Sequence, residues 1–152
     1  MPNKKPIILY IEDDGLLMNM YKDLFTTHGF GFVGAKNFTD GKKLIEKSDP
    51  NIILLDLLLP DKSEWIPTEL NVDFGIKLLK KIKTNPKTKD IPVVILSNID
   101  ESNIVEDAKK FGADDYMIKA NVLPKEVLAK VQKILKKHNI ELPCDPIKQK
   151  CE

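Results

Sequence analysis

The chain has 152 residues, a formal net charge of +1, and 42% hydrophobic and 31% charged residues, which suits one domain with a single core and a tail. All 24 basic residues are lysine. With no arginine, the preferred bidentate reader of bases and phosphates, and no excess of charge, a nucleic-acid partner is not expected. No apolar run reaches the ~18–20 residues of a membrane span, and the apolar stretch 7–11 after Lys4-Lys5-Pro6 is too short for a signal peptide. A cytoplasmic protein without a membrane partner is therefore expected. Cys144 and Cys151 match no zinc spacing and read as free thiols on a solvated tail.

Ile7-Ile8-Leu9-Tyr10-Ile11 is a short apolar run ended by Glu12-Asp13-Asp14-Gly15, the signature of a buried strand. From Gly15 to His28 the spacing turns helical, with Leu17, Met20, Tyr21 and Leu24 on one face and Gly29 as the stop. Residues 32–35 form a weaker second strand, and Asn37 or Thr39 caps a helix to about Lys47 with Leu44 and Ile45 inward. A third strand, 51–55, leads into Asp56. The segment Leu57 to Val72 is irregular and holds Pro60, Pro67 and the single tryptophan, Trp65. Asp73 then reads as the N-cap of a helix over 74–83, with Ile76, Leu79 and Ile82 inward and Lys77 and Lys81 outward. Residues 91–96 are a fourth strand ended by Ser97-Asn98, and a helix over 101–111 leads to Gly112. Asp115 to Ile118 is a fifth strand closing on Lys119, and Pro124 opens a last helix to about Lys137. Residues 138–152 carry no periodicity and read as an extended tail after a domain spanning 1–137.

Five strand–helix repeats predict a parallel sheet covered on both faces. Right-handed crossovers leave few arrangements, and five strands fit the doubly wound, flavodoxin-like order 2-1-3-4-5. In such a sheet the carboxyl ends of the strands share one edge, where ligands bind. Four of these ends carry polar groups: Glu12 and Asp13, Asp56, Ser97, and Lys119. Read singly, the acids are caps or turn residues, Ser97 is a turn hydroxyl and Lys119 is solvated; together they fall at neighbouring strand ends. Crowded carboxylates repel one another unless a cation compensates, and hard oxygen donors suit Mg²⁺ or Mn²⁺. Carboxylate nucleophile, divalent ion, ammonium and hydroxyl are what phosphoryl transfer to an aspartate requires.

The motifs Ile-Glu-Asp-Asp at 11–14, Leu-Leu-Asp-Leu-Leu-Leu-Pro at 54–60, Val-Ile-Leu-Ser at 94–97 and Gly-Ala-Asp-Asp-Tyr-Met-Ile-Lys at 112–119 resemble the receiver domain of two-component response regulators. The resemblance covers about Ile7 to Lys137. It implies that Asp56 takes a phosphoryl group from a phosphohistidine on a sensor histidine kinase or a histidine phosphotransfer protein. It also implies that Glu12 and Asp13 are the acidic pair, and that Asp13, Asp56 and the backbone carbonyl of Leu58 ligate Mg²⁺. Ser97 would turn toward the phosphoryl group, Tyr116 would follow inward, and Lys119 would hold the phosphate. A downstream protein target is implied but not named, and phosphorylation-dependent dimerisation stays open.

Three features depart from the family pattern. Ala120 stands where proline usually follows the lysine, Asn98 is bulkier than the small residue usual after the switch hydroxyl, and the loop between Pro60 and Gly75 is roughly ten residues longer than usual. In that loop Trp65 and Ile66 form either a lid or partner contact, or an inert excursion. Leu16, Met18 and Phe25 lie beside the expected core face of the first helix, where the family docks its kinase helices, and suggest a partner patch. The competing functions are a phosphorylation-independent interaction scaffold and an aspartate-nucleophile phosphohydrolase. The latter favours an Asp-x-Asp pair, and position 58 is Leu. A flavodoxin-like cofactor binder lacks its Gly-rich phosphate loop.

Overall fold

The structure is a computed structural model that describes residues 4–62 and 72–147. Five strands, β1 (Ile7–Ile11), β2 (Gly31–Ala35), β3 (Ile52–Leu55), β4 (Val93–Ser97) and β5 (Asp115–Ile118), form one parallel sheet in the order β2-β1-β3-β4-β5. Helices α1 (Gly15–Thr27), α2 (Phe38–Ser48), α3 (Val72–Thr84), α4 (Ser102–Lys110) and α5 (Pro124–Lys137) alternate with them, and a short 3₁₀ turn (Lys119–Asn121) follows β5. Among the described residues no helix is long and apolar enough to cross a membrane.

The three central strands are apolar on both faces because helices cover both. Their alternation divides the core in two. Ile8, Tyr10, Ile52, Leu54, Val94 and Leu96 meet α1 and α5, including Tyr21, Phe25, Val131 and Leu135. Leu9, Ile11, Ile53, Leu55, Val93 and Ile95 meet α2, α3 and α4, including Ile45, Leu78, Ile82 and Ala108.

The buried face of α1 differs from the expected one. Met18, Tyr21 and Phe25 are buried, whereas Leu16 and Met20 are 84% and 39% exposed. The aromatics decide this rotation. Tyr21 meets Tyr10 edge-on at 5.4 Å, and Phe25 contacts Phe30 and Phe32 at 5.9 and 6.3 Å, so turning the rings inward buries more area than turning Leu17 and Met20 inward. Met18 closes the space over Gly34. Of the suggested partner patch only Leu16 lies at the surface; Met18 and Phe25 are core.

The described part of α3 begins at Val72, which places Asp73 in the first turn of the helix rather than before it. Its buried face is Gly75, Leu78, Leu79 and Ile82, with Ile76 only partly covered. Asn37 caps α2, accepting from the Asp40 amide at 2.8 Å. The expectation for Trp65 and Ile66 lies outside the described residues.

The described part of the tail forms no helix or strand, yet it is not loose. Ile140 and Leu142 pack on the α1–α5 side of the core, and His28 Nδ1 lies 2.7 Å from Asp145 Oδ2. Cys144 is disulfide-bonded and so is not the free thiol expected; its backbone and Pro143 lie against Gly29, although Cys144 itself stays exposed. Gly29 has φ +92°, and a Cβ there would sit 2.6 Å from the Cys144 carbonyl oxygen. Gly29→Ala therefore combines a strained backbone with displacement of the tail, and urea unfolding should show a loss of about 1–3 kcal/mol.

β5 is tied to α5 by Asp115 and Lys130, 2.7 Å apart with both side chains 32% exposed. Burial pushes the Asp115 carboxyl up, but the hydrogen bond from Lys130, the Tyr116 amide and the Lys130 charge outweigh it and hold it below the usual carboxylate value. A group depressed in the folded state adds stability above its unfolded pKa of about 3.9 and loses it as pH falls through the folded value. Asp115→Asn should thus cost up to about 1 kcal/mol at neutral pH, the range of a solvent-screened pair. The difference from wild type should shrink in denaturation curves as pH falls below about 3.9 and through the depressed folded value.

Candidate functional site

The polar strand ends gather at one edge of the sheet. Glu12 and Asp13 follow β1, Asp56 follows β3, Ser97 ends β4 and Lys119 follows β5. Backbone bonds that continue the ladder fix the first two: the Glu12 amide donates to Ala35 at 2.9 Å and the Asp56 amide to Ile11 at 3.0 Å. Asp14 caps α1 through the amides of Leu16 and Leu17, which leaves Glu12 and Asp13 on the strand side of the turn.

Lys119 joins the cluster. Its Nζ donates to Glu12 Oε2 at 2.6 Å and to Asp56 Oδ2 at 2.8 Å. The second Asp56 oxygen accepts from the Leu58 amide at 3.1 Å, and Glu12 Oε1 accepts a longer bond of 3.3 Å from the Asp14 amide. Glu12 and Asp56 are nearly inaccessible, 1% and 4% exposed, whereas Asp13 is half-buried. Glu12, Asp13 and Asp56 each offer a carboxylate oxygen within 4.8 Å of the others.

Three carboxylates and one ammonium leave a formal charge of −2, and the electrostatics reflect it. Burial, then hydrogen bonding and repulsion from Asp56, push the Glu12 carboxyl far above the usual range, against the pull of Lys119. Burial first, and the Asp56 charge, also raise Asp13. Burial opposes the Lys119 ammonium, but Asp56 and Glu12 outweigh it and keep the group charged. A divalent cation at the three oxygens would relieve this excess, and the donor set, all carboxylate oxygen, fits a hard ion such as Mg²⁺.

Ser97 is 1% exposed; its Oγ accepts a long bond of 3.4 Å from the Ile99 amide. Tyr116 is half-buried, and its hydroxyl donates to the Ile99 carbonyl at 2.6 Å. Burial and the nearby Asp56 charge push that phenol up to about 12, so it is a neutral donor at ordinary pH. The Lys119–Ala120 peptide is trans, and the Ala120 amide donates to Asn98 Oδ1 at 2.9 Å.

Sequence reasoning therefore named each polar residue that the structure brings to this edge. It missed Gly75. A Cβ at that position in α3 would sit 2.3 Å from the Cα of Leu57, the residue after Asp56. Its signal was a glycine inside a helical pattern, which marks close backbone approach. The Pro60 and Asp61 carbonyls accept the first amides of α2, from Phe38 and Thr39 at 2.9 and 3.0 Å. The segment after Asp56 is thus held from two sides.

The family profile for the response regulator receiver domain matches residues 8–132. The chain is a response regulator receiver domain. It is 30% identical over 130 residues to the phosphate regulon transcriptional regulatory protein PhoB of Escherichia coli K12, covering 86% of this receiver and 52% of that protein. With the transcriptional regulatory protein KdpE of Staphylococcus aureus it shares 32% over 112 residues, 74% of the receiver and 42% of KdpE. The chain spans about half the length of the curated relatives it matches.

Among solved structures, a CheY-like receiver domain protein from Methanospirillum hungatei JF-1 superposes with a TM-score of 0.75 at 24% identity, covering 90% of this receiver and 98% of that chain. The receiver domain of Francisella response regulator 1452 gives 0.72 at 25% identity, covering 88% and 99%. These likenesses bear out the five-stranded order.

Because Gly75 lets α3 touch the Leu57 backbone, Gly75→Ala must displace the segment that carries Asp56. Urea unfolding should show a loss of about 2 kcal/mol or more, as expected for overpacking against backbone. Mg²⁺ titration followed by thermal shift should show weaker binding as well.

Proposed function

We propose that this receiver accepts a phosphoryl group on Asp56 from a phosphohistidine of a sensor histidine kinase or histidine phosphotransfer protein, and signals through protein–protein contacts. The observation that carries the reading is the Lys119 ammonium held between Glu12 and Asp56 at 2.6 and 2.8 Å. It is a cation already paired with the acceptor oxygen and within reach of whatever replaces a proton or lone pair there.

In the transfer, an Asp56 carboxylate oxygen attacks phosphorus in line, the P–N bond to the donor imidazole breaks, and its electron pair leaves with the ring. Glu12, Asp13, Asp56 and the Leu58 carbonyl are the groups that would hold Mg²⁺, and the ion when bound would neutralise charge on the transferring oxygens. Lys119 would move from Glu12 to a phosphoryl oxygen, keeping its positive charge in the pocket. Ser97 would turn its hydroxyl to a second oxygen. That would give up its long bond to Ile99 and free the loop that Tyr116 holds, so Tyr116 could move inward. A downstream protein would read the altered β4–α4 and β5 surface. The receiver unit would comprise residues 1–137, with 138–152 as its tail.

A phosphorylation-independent scaffold is the second reading, favoured by Ala120 in place of the usual proline. Intact-protein mass after incubation with Mg²⁺ and a small phosphodonor separates the two. One phosphoryl increment is expected, requiring both Mg²⁺ and Asp56. No increment from any donor, phosphohistidine protein included, or one that persists in Asp56→Asn, would leave the scaffold standing.

A further inference from the structure

The parallel ladder between β4 and β5 ends at the pair Ser97 and Ile118. One residue further on stand Asn98 and Lys119, the second of which the proposed chemistry needs. Lys119 opens the 3₁₀ turn Lys119–Asn121, whose N-cap, Ile118, provides no side-chain hydrogen bond. The first amides of such a turn have no partner within it. For Ala120 that partner comes from the neighbouring loop: Asn98 Oδ1 accepts the Ala120 amide at 2.9 Å. Asn98 thus does with its side chain what the ladder no longer does with backbone.

We propose that Asn98 is a positioning residue: its side-chain carbonyl clamps the Ala120 amide and so fixes the backbone from which Lys119 reaches the acceptor carboxylate. The proposal rests on the phosphoacceptor reading of Asp56. Three observations carry it. Lys119 is anchored at its ammonium end by Glu12 and Asp56, so the Asn98 bond at the adjoining amide supplies the second fixed point. The same short loop is held again one residue later, where the Tyr116 hydroxyl donates to the Ile99 carbonyl at 2.6 Å. The loop after Ser97 and the chain around Lys119 therefore form one braced unit. Finally, the clamp needs an amide hydrogen at 120, which alanine has and proline lacks. The two departures at 98 and 120 complement each other as acceptor and donor.

A side chain that orders a reactive group speeds the step by holding the group where it acts. The Ala120 amide is a direct probe of the bond and the transfer rate is a probe of its consequence. Both are read on the full chain as wild type, Asn98→Ala and Asn98→Asp, using acetyl phosphate over a concentration series at saturating Mg²⁺. In Asn98→Ala, hydrogen exchange at Ala120 should accelerate. The maximal rate of Asp56 phosphorylation should fall roughly 3- to 10-fold, the size that losing one exposed hydrogen bond converts to. Asn98→Asp keeps the acceptor oxygen, so exchange protection and maximal rate should be retained. Its half-saturating donor concentration should rise, because the added carboxylate repels the anionic donor.

Equal slowing in both variants would assign the effect to the shape of the side chain and overturn the clamp. So would an Asn98→Ala protein with the wild-type maximal rate, or with unchanged Ala120 exchange. Wild type that takes no phosphoryl group from any donor overturns the phosphoacceptor reading, and this inference with it. An active wild type beside an indifferent Asn98→Ala overturns this inference alone.

Discussion

One buried ammonium holds this site together. Glu12 and Asp56 are almost wholly withdrawn from water, and an isolated pair of carboxylates in that position would be costly enough that one would take up a proton. Lys119, bonded to both, offsets part of that cost, although Glu12 is still pushed far above the usual carboxylate range. The arrangement is tolerated rather than optimal for stability, since one cation faces three carboxylates. Groups under such mutual strain are typical of functional sites. The receiver keeps a negatively charged edge that a divalent ion could complete.

The rest of the fold serves that convergence. A parallel sheet puts every strand's carboxyl end at one edge, and the order β2-β1-β3-β4-β5 makes neighbours of the strands that end in Glu12, Asp56 and Ser97, with Lys119 next in line. The apolar strand interiors make this edge rigid. Gly75 then allows α3 to lie directly on the Leu57 backbone, and the Pro60 and Asp61 carbonyls fasten the other side of that segment to the start of α2.

Much of this was legible in the sequence because two periodicities alternate cleanly and the polar residues stand directly after apolar runs. The strand order, the last helix, and the gathering of Glu12, Asp13, Asp56, Ser97 and Lys119 at one edge all follow from that pattern. What was not legible depended on tertiary competition. The face of α1 was turned too far: Tyr21 was rightly placed inward and Leu24 does pack on the core, but Met18 and Phe25 satisfy helical spacing as well as Leu17 and Met20 do, and only packing against β1 and β2 chooses between them. The start of α3 was misplaced because an acidic residue serves equally as a cap or in a first turn. The tail was read as loose because Ile140, Leu142 and Asp145 show no period, although each finds a partner on the domain. Asn98 and Ala120 looked like separate irregularities because a bond between loops leaves no mark in local sequence.

The sheet is also a watershed. By strand alternation, Glu12 and Asp56 share the side of Tyr10 and Leu54, facing α1 and α5, whereas Ser97 and Tyr116 share the side of Ile95, facing α2, α3 and α4. Among the described residues the two cores lie on opposite faces of the strands. On the proposed function, receiving the phosphoryl group would fall to one slope of this ridge and broadcasting its arrival to the other.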